Sequence, residues 1–333
     1  MSESRSHRPS SAHSGVDPQA SSGRLGFAQS ANFYLQQTPR QLPSRFLYDA
    51  LGSALFDAIC LLPWYRITRA ERQLLERHAA TIGQAFRRNG RVVELGCGNG
   101  EKLAALLANA EVPSVRAHLI DLSGAALARS LQTLAAIEDL DLGVTTHEAT
   151  YEDGLLELPA EPGHPTLVAF LGSNLGNFDP PGSAAFLGAI RASLQPRDHL
   201  LLGVDLVKPE RDLLLAYDDP VGLTAAFNKN LLLRMNVELN ANFALDRFRH
   251  RAVWNRHASR VEMHLVSVVA QDVHVRDAGL TFRLEEGEAI WTESSYKYEP
   301  DGIRRLVESV GFAQRHQWID EPAGFALTLF EAV

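Results

Sequence analysis

Cysteine is nearly absent. Cys60 and Cys97 are the only two in 333 residues. A pair at that spacing builds neither a disulfide framework nor a cysteine-based zinc site. A reducing, cytoplasmic setting is expected. The twelve histidines are scattered, with no HExxH and no Cys/His cluster, so no metal site is expected. No stretch reaches the roughly 18 uninterrupted apolar residues of a membrane span, so no membrane partner is expected. The opening MSESRSHRPSSAHSGVDPQASSGR has no apolar h-region and does not read as a secretory signal. Residues 1–26 are expected to be a disordered tail. Positive charge is also in deficit, with 32 Lys and Arg against 40 Asp and Glu and a net charge of −8. That counts against a nucleic-acid partner, whose affinity comes largely from phosphate neutralisation. The basic stretch RFRHRAVWNRHASR (247–260) is read as a solvated face of β strands.

What is present suits a globular core. The chain is 45% hydrophobic and 22% charged, enough for one large domain or two modest ones. From about Phe27 to Gly83 the apolar spacing is helical, interrupted near Pro63. Thr68 followed by Glu71 fits a capping box that would start a new helix. Strands are then expected at 92–95, 117–120, 143–149, 166–171 and 199–206, with helices at 101–110, 123–137 and 181–194 between them. Strands alternating with helices predict a parallel sheet covered on both faces. After Leu206 the alternation stops. Helical segments are expected at 210–216 and 220–235, and β runs at 249–254, 260–269 and 280–298. A helix at 300–310 and a strand at 326–331 would close the α/β sheet.

Two loops carry the chemistry. ELGCGNGEK (94–102) follows a strand and opens a helix, so its glycines bring backbone close to a ligand at the sheet edge. The dinucleotide fingerprint G-x-G-x-x-G/A is not met, because Glu101 stands at its third small position. A P-loop is excluded, because Gly-Lys-Ser/Thr is missing. FLGSNLGNF (170–178) lies at the end of the fourth strand and holds two asparagines and two glycines in a short span.

E-x-G-x-G-x-G resembles motif I of class I S-adenosylmethionine-dependent methyltransferases. The resemblance narrows elsewhere. FLYDALGSALFDAICLLPWYRITRAE, FLGSNLGNF, LVKPERDLLLAYDDPVGLTAAFNKNLL and TESSYKY together resemble the histidine-specific Nα-methyltransferase family, from about Phe33 to the C-terminus. Members of that family make hercynine on the route to ergothioneine. The implied fold class is α/β, a Rossmann-like class I methyltransferase domain (70–207 and 298–333). A second α+β substrate-binding lobe would form from N-terminal helices (27–69) and an insertion (208–297). The implied cofactor is S-adenosyl-L-methionine, the implied partner is the small molecule L-histidine, and a monomer is expected.

Carried over by motif, Asn177 and Tyr217 would hold the substrate's carboxylate and amino end. Tyr48 would lie beside the reacting amine, also touching cofactor, and with Asn177 it makes the implied catalytic pair. Tyr65 would reach the imidazole through water, Glu293 and Ser295 would bind its nitrogens, and Phe56 and Met263 would line the ring pocket. Gly96, Lys102 and Asp121 would belong to the cofactor site, with Thr150 and Tyr151 near the adenine. The sequence departs from the family's usual residues at Arg66-Ile67, at Thr150-Tyr151 and at Asn174.

The residue types suit these roles. A carboxylate such as Asp121 accepts two charge-assisted hydrogen bonds from a ribose diol, the reading preferred over a residue before Ser123 that serves only a helix start. Neutral imidazole has one donor and one acceptor, and Glu293 and Ser295, two apart on a strand, share a face. Gly172 and Ser173 would leave room for a growing trimethylammonium. Three other readings stand beside this one. They are methylation of another aromatic amino acid such as tyrosine or tryptophan, a catalytically silent binding protein on the same scaffold, and a nucleic-acid methyltransferase. Relatives acting on tyrosine or tryptophan are expected to lack the Glu/Ser pair.

Overall fold

The computed structural model describes residues 24–87, 89–159 and 163–333. Residues 1–23 of the expected tail lie outside the described residues. Its last three residues already belong to helix α1 (Arg24–Leu35). Helices α2 (Ala50–Cys60) and α3 (Ile67–Gly83) follow, parted by the turn at Pro63.

The chain then alternates as the periodicity predicts. β1 (Arg91–Leu95), α4 (Glu101–Leu107), β2 (Ser114–Asp121), α5 (Gly124–Leu134) and β3 (Asp141–Glu148) form the first half. α6 (Tyr151–Glu157), β4 (Thr166–Phe170), α7 (Pro180–Ser193) and β5 (His199–Asp205) form the second. After an insertion, α10 (Pro300–Glu308), β11 (Phe312–Asp320) and β12 (Phe325–Ala332) complete a seven-stranded sheet. Its order is β11-β12-β5-β4-β1-β2-β3, with β1 to β5 parallel and β12 antiparallel to both neighbours.

The central strands read as continuous apolar runs because both faces are covered. Val92, Leu167 and Leu201 pack on one side with Leu74, Leu75 and Leu103 of α3 and α4. Val93, Val168 and Leu200 pack on the other with Phe186, Leu187, Ile303 and Val307 of α7 and α10.

The insertion holds α8 (Glu210–Tyr217), α9 (Leu223–Glu238), β6 (Phe248–Asn255), β7 (Arg260–Ser267), β8 (Gln271–Val275), β9 (Leu280–Leu284) and β10 (Ala289–Tyr296). Strands β10, β7 and β6 make an antiparallel sheet, and β8 and β9 a separate hairpin. Helix α2 joins this part directly. Asp49 caps α2 by accepting the Gly52 N–H at 2.7 Å, and the same oxygen accepts from Asn230 of α9 at 2.7 Å.

Several expectations are corrected. The single β run expected at 280–298 is two strands, β9 and β10, broken at Gly287, whose φ is +85°. Strands β8 and β11 and helix α6 were not expected. The Thr68/Glu71 capping box does not form. Helix α3 begins at Ile67 with Arg66 at its N-cap and no side-chain cap, and Glu71 is fully buried on its inner face. The helix expected from Pro220 starts at Leu223, where the Asp219 carboxylate accepts backbone N–H groups from Val221 to Thr224.

Candidate active site

Strand order reverses between β1 and β4, the place where open α/β sheets bind ligands beyond the strand ends. The glycine loop follows β1 and FLGSNLGNF follows β4, so neighbouring strands deliver both to that point. A Cβ at Gly96 would lie 2.7 Å from the Tyr151 hydroxyl and 3.1 Å from Asn174 Nδ2. Tyr151 and Asn174 thus stand directly over the loop, and only a glycine fits beneath them. A Cβ at Gly98 would meet nothing within 4 Å, so the loop's middle is open. Beside it Asp121 accepts from Gly98 N–H at 3.3 Å and Ser123 N–H at 2.9 Å. Burial pushes its carboxyl up, and those two N–H groups pull it back. One carboxylate oxygen thus serves the start of α5 and the other faces the glycine loop. An open glycine cradle beside a carboxylate that can take a diol fits S-adenosylmethionine.

Glu94, the first residue of the glycine motif, is buried, and burial pushes its carboxyl up to about 8. Thr150 serves as the N-cap of α6, accepting from Asp153 N–H at 3.1 Å and donating to Asp153 Oδ2 at 2.8 Å. Lys102 pairs with Glu71 at 2.7 Å, and a Cβ at Gly172 would lie 2.8 Å from its Nζ. Gly172 has φ +78°, and its N–H donates to both Glu71 oxygens. Ser173 Oγ accepts the Asp205 N–H at 2.9 Å. The protein itself therefore uses the smallness of Gly172 and Ser173, as well as leaving them on the cleft wall.

That cleft opens between the FLGSNLGNF loop and the inserted sheet. Tyr48, Phe56, Tyr65, Asn177, Tyr217, Met263, Glu293 and Ser295 all line it. They come from the turn before α2, α2 itself, the turn before α3, the turn after β4, α8, β7 and β10. Aromatic edges set the wall: Phe56 meets Tyr48 at 5.6 Å and Tyr65 at 5.9 Å, both edge-on, and Phe227 at 5.9 Å. Met263 and Glu293 are direct partners across β7 and β10, next to a β-bulge at Trp291/Glu293. Burial pushes the Glu293 carboxyl up to about 7, with the Lys297 ammonium opposing it. Burial also raises the Tyr65 and Tyr217 phenols, so both are neutral near pH 7.

Behind the cleft wall Tyr217 Oη meets Ser295 Oγ at 2.8 Å. Lys297 donates to both, at 2.8 and 2.9 Å, and pairs with Asp205 at 2.9 Å. The sequence reading missed Lys297 and Asp205. Period-two spacing could have found Lys297, since 293, 295 and 297 alternate along one face. Asp205 carried the mark of a charge at the end of an apolar parallel strand. Among the cleft residues, Ile59, Thr224 and Phe227 were also not expected. All three stand inside the family motifs quoted above, and neither an apolar side chain nor a lone threonine there marks a binding role.

A glycine loop after β1, a carboxylate ending β2 and a parallel sheet with this order define a class I S-adenosylmethionine-dependent methyltransferase. The model of the family "Histidine-specific methyltransferase, SAM-dependent" matches residues 27–332, and the chain belongs to that family. The histidine N-alpha-methyltransferase of Mycobacterium tuberculosis (strain CDC 1551 / Oshkosh) is 39% identical, over 92% of this chain and 95% of that protein. That of Mycolicibacterium smegmatis is 39% identical over 89% and 91%. The ergothioneine biosynthesis protein 1 of Schizosaccharomyces pombe is 28% identical over 82% of this chain and 36% of its own length. S-adenosylmethionine is accordingly the methyl donor. No helix among the described residues is long and apolar enough to cross a membrane.

Proposed function

We propose that the chain methylates the α-amine of L-histidine three times, giving hercynine, as a step toward ergothioneine. The observation that carries this reading is the Glu293/Ser295 pair, set in one cleft with Tyr48, Tyr65, Asn177 and Tyr217. In this reading Glu293 accepts the imidazole N–H and Ser295 meets the other ring nitrogen, while Tyr65 reaches the ring through water. Phe56 and Met263 cover the ring. Asn177 donates to the carboxylate, and Tyr217 Oη, whose one proton goes to Ser295, accepts from the amino end. Gly96, Lys102, Asp121, Thr150 and Tyr151 serve the cofactor side, and Tyr48 stands between the two. Residues 27–69 and 208–297 act as the substrate lobe, and 70–207 with 298–333 as the cofactor domain.

S-adenosylmethionine, when bound, supplies an electrophilic methyl group. The chain's part is alignment and exclusion of water, which can lower a barrier by several kcal/mol. The nucleophile must be the neutral amine. The phenol of Tyr48 beside the amine is raised well above its ordinary value, as are those of Tyr65 and Tyr217, so all three are neutral and poor bases near pH 7 and the amine proton passes to water. Tyr48 and Asn177 orient the amine between transfers.

The test is direct. Purified protein, L-histidine and S-adenosylmethionine are incubated and the products weighed by mass spectrometry. The expected product carries three added methyl groups. Methylation of tyrosine or tryptophan with none of histidine, in an equimolar mixture, would sink the proposal.

A further inference from the structure

The Lys297 side chain has no solvent exposure, so it cannot touch a ligand in the cleft. Three oxygens enclose its ammonium: Asp205 Oδ2 at 2.9 Å, Tyr217 Oη at 2.8 Å and Ser295 Oγ at 2.9 Å. An ammonium has three donors and no acceptor, so all its protons are committed. Tyr217 Oη and Ser295 Oγ are themselves 2.8 Å apart, and one hydroxyl proton lies between them. A phenol donates more readily and accepts less readily than an alkyl hydroxyl, so that proton belongs to Tyr217. Ser295 Oγ then accepts from both Tyr217 and Lys297, which fills its two lone pairs. What it has left for the cleft is its own O–H.

We infer that Lys297, anchored by Asp205, is a positioning residue that fixes Ser295 as a hydrogen-bond donor toward the substrate. The inference rests on reading the cleft as the histidine site. Glu293, once ionised, can only accept. The strand therefore offers one donor and one acceptor, two residues apart on one face. A neutral ring with one bare nitrogen and one N–H satisfies both. An indole, or an imidazolium, has no bare ring nitrogen and leaves the Ser295 O–H unpaired in a desolvated site, the kind of mismatch that discriminates strongly. Lys208 binds the other Asp205 oxygen, so the carboxylate that anchors Lys297 is itself held in place. Lys297 would thus contribute to substrate choice without contacting substrate.

The test is a double-mutant cycle read by calorimetry. L-histidine is titrated into wild type, Ser295→Ala, Lys297→Met and the double variant, each saturated with S-adenosylhomocysteine. Lys297→Met is expected to weaken histidine binding roughly tenfold or more, with cofactor affinity unchanged. On the Ser295→Ala background the same substitution is expected to add little, because its effect passes through that hydroxyl. In turnover the KM for histidine should rise more than kcat falls. Lys297→Met leaves Asp205 with less compensation, so Asp205→Asn/Lys297→Met is measured beside it, with the same expected loss. Histidine affinity unchanged in either variant, or an equal further loss on the Ser295→Ala background, overturns the inference alone. Absence of histidine binding to the wild type overturns the reading of the site, and the inference with it.

Discussion

Glu71 accepts the Gly172 backbone N–H on both carboxylate oxygens, at 2.8 and 2.9 Å, from a position 101 residues earlier in the chain. The same carboxylate pairs with Lys102 at 2.7 Å, just past the glycine loop. Helix α3 is thereby joined to both loops at the switch point. Burial works against the Lys102 ammonium, and Glu71 outweighs it and keeps Lys102 charged.

Replacing Glu71 by Gln should therefore act on stability and cofactor together. A buried ion pair that loses one partner typically costs about 3–5 kcal/mol. Gln retains an acceptor for Gly172, so about 2–4 kcal/mol is expected, read by urea denaturation. Cofactor affinity, measured by calorimetry, should fall along with it. Stability within about 0.5 kcal/mol of wild type would mean that Glu71 does not brace the loops.

Glu71 also marks where sequence reading stops. Thr68-x-x-Glu71 satisfies a local spacing rule, but the partner it binds lies far along the chain, and no window of residues displays that. The alternation of strands and helices was legible because β1, β4 and β5 are apolar on both faces. Strand β11 escaped because it is a half-polar edge, FAQRHQWID, with its partner on one side only. Strand β8 did alternate buried and exposed residues, and its five-residue length hid it. The cleft residues were legible through family motifs, which compress long-range contacts that periodicity cannot express. Lys297 stood inside one of those motifs and was passed over, since a lysine on a strand reads by default as solvent-facing.

The two asparagines of FLGSNLGNF should separate cleanly. Asn174 Nδ2 lies 3.1 Å from where a Gly96 Cβ would be, over the glycine loop, and both asparagines reach the cleft. Asn177→Ala is expected to cut kcat/KM for histidine about 100-fold, with cofactor affinity within twofold of wild type. Asn174→Ala is expected to weaken the cofactor about tenfold, one lost hydrogen bond near a charged ligand. Calorimetry with S-adenosylhomocysteine and initial rates with histidine check both. Matching losses from the two variants would contradict the division.

Gly176 is constrained by distance. A Cβ there would lie 2.8 Å from the Tyr296 carbonyl oxygen and 3.5 Å from Ser295 Oγ. Gly176→Ala must push on the end of β10, which carries Glu293 and Ser295. A cost of about 1–3 kcal/mol in stability is expected from overpacking. The KM for histidine should rise severalfold while cofactor affinity holds. A variant with wild-type KM would show that β10 is free to shift without moving its side chains.

The raised Glu293 carboxyl gives a pH signature. Burial pushes it up to about 7 from its ordinary 4.5. Below that value it is protonated and no longer a pure acceptor, and the substrate's imidazole gains its own proton near pH 6.5. These two protonations add to that of the α-amine at about pH 8, so the acid limb of kcat/KM in the wild type should steepen toward a slope of three. Glu293→Gln removes one of the three, leaving a slope of two and a roughly tenfold weaker histidine complex above about pH 8. Stability carries the same sign. Between about pH 4.5 and pH 7 the folded protein holds a proton that the unfolded chain has released, so ligand-free stability falls as pH rises across that window. The Gln variant lacks this loss and should gain on the wild type with increasing pH, by up to a few kcal/mol. Thermal melts of both proteins across that range measure it, and parallel curves would show that Glu293 is ionised throughout.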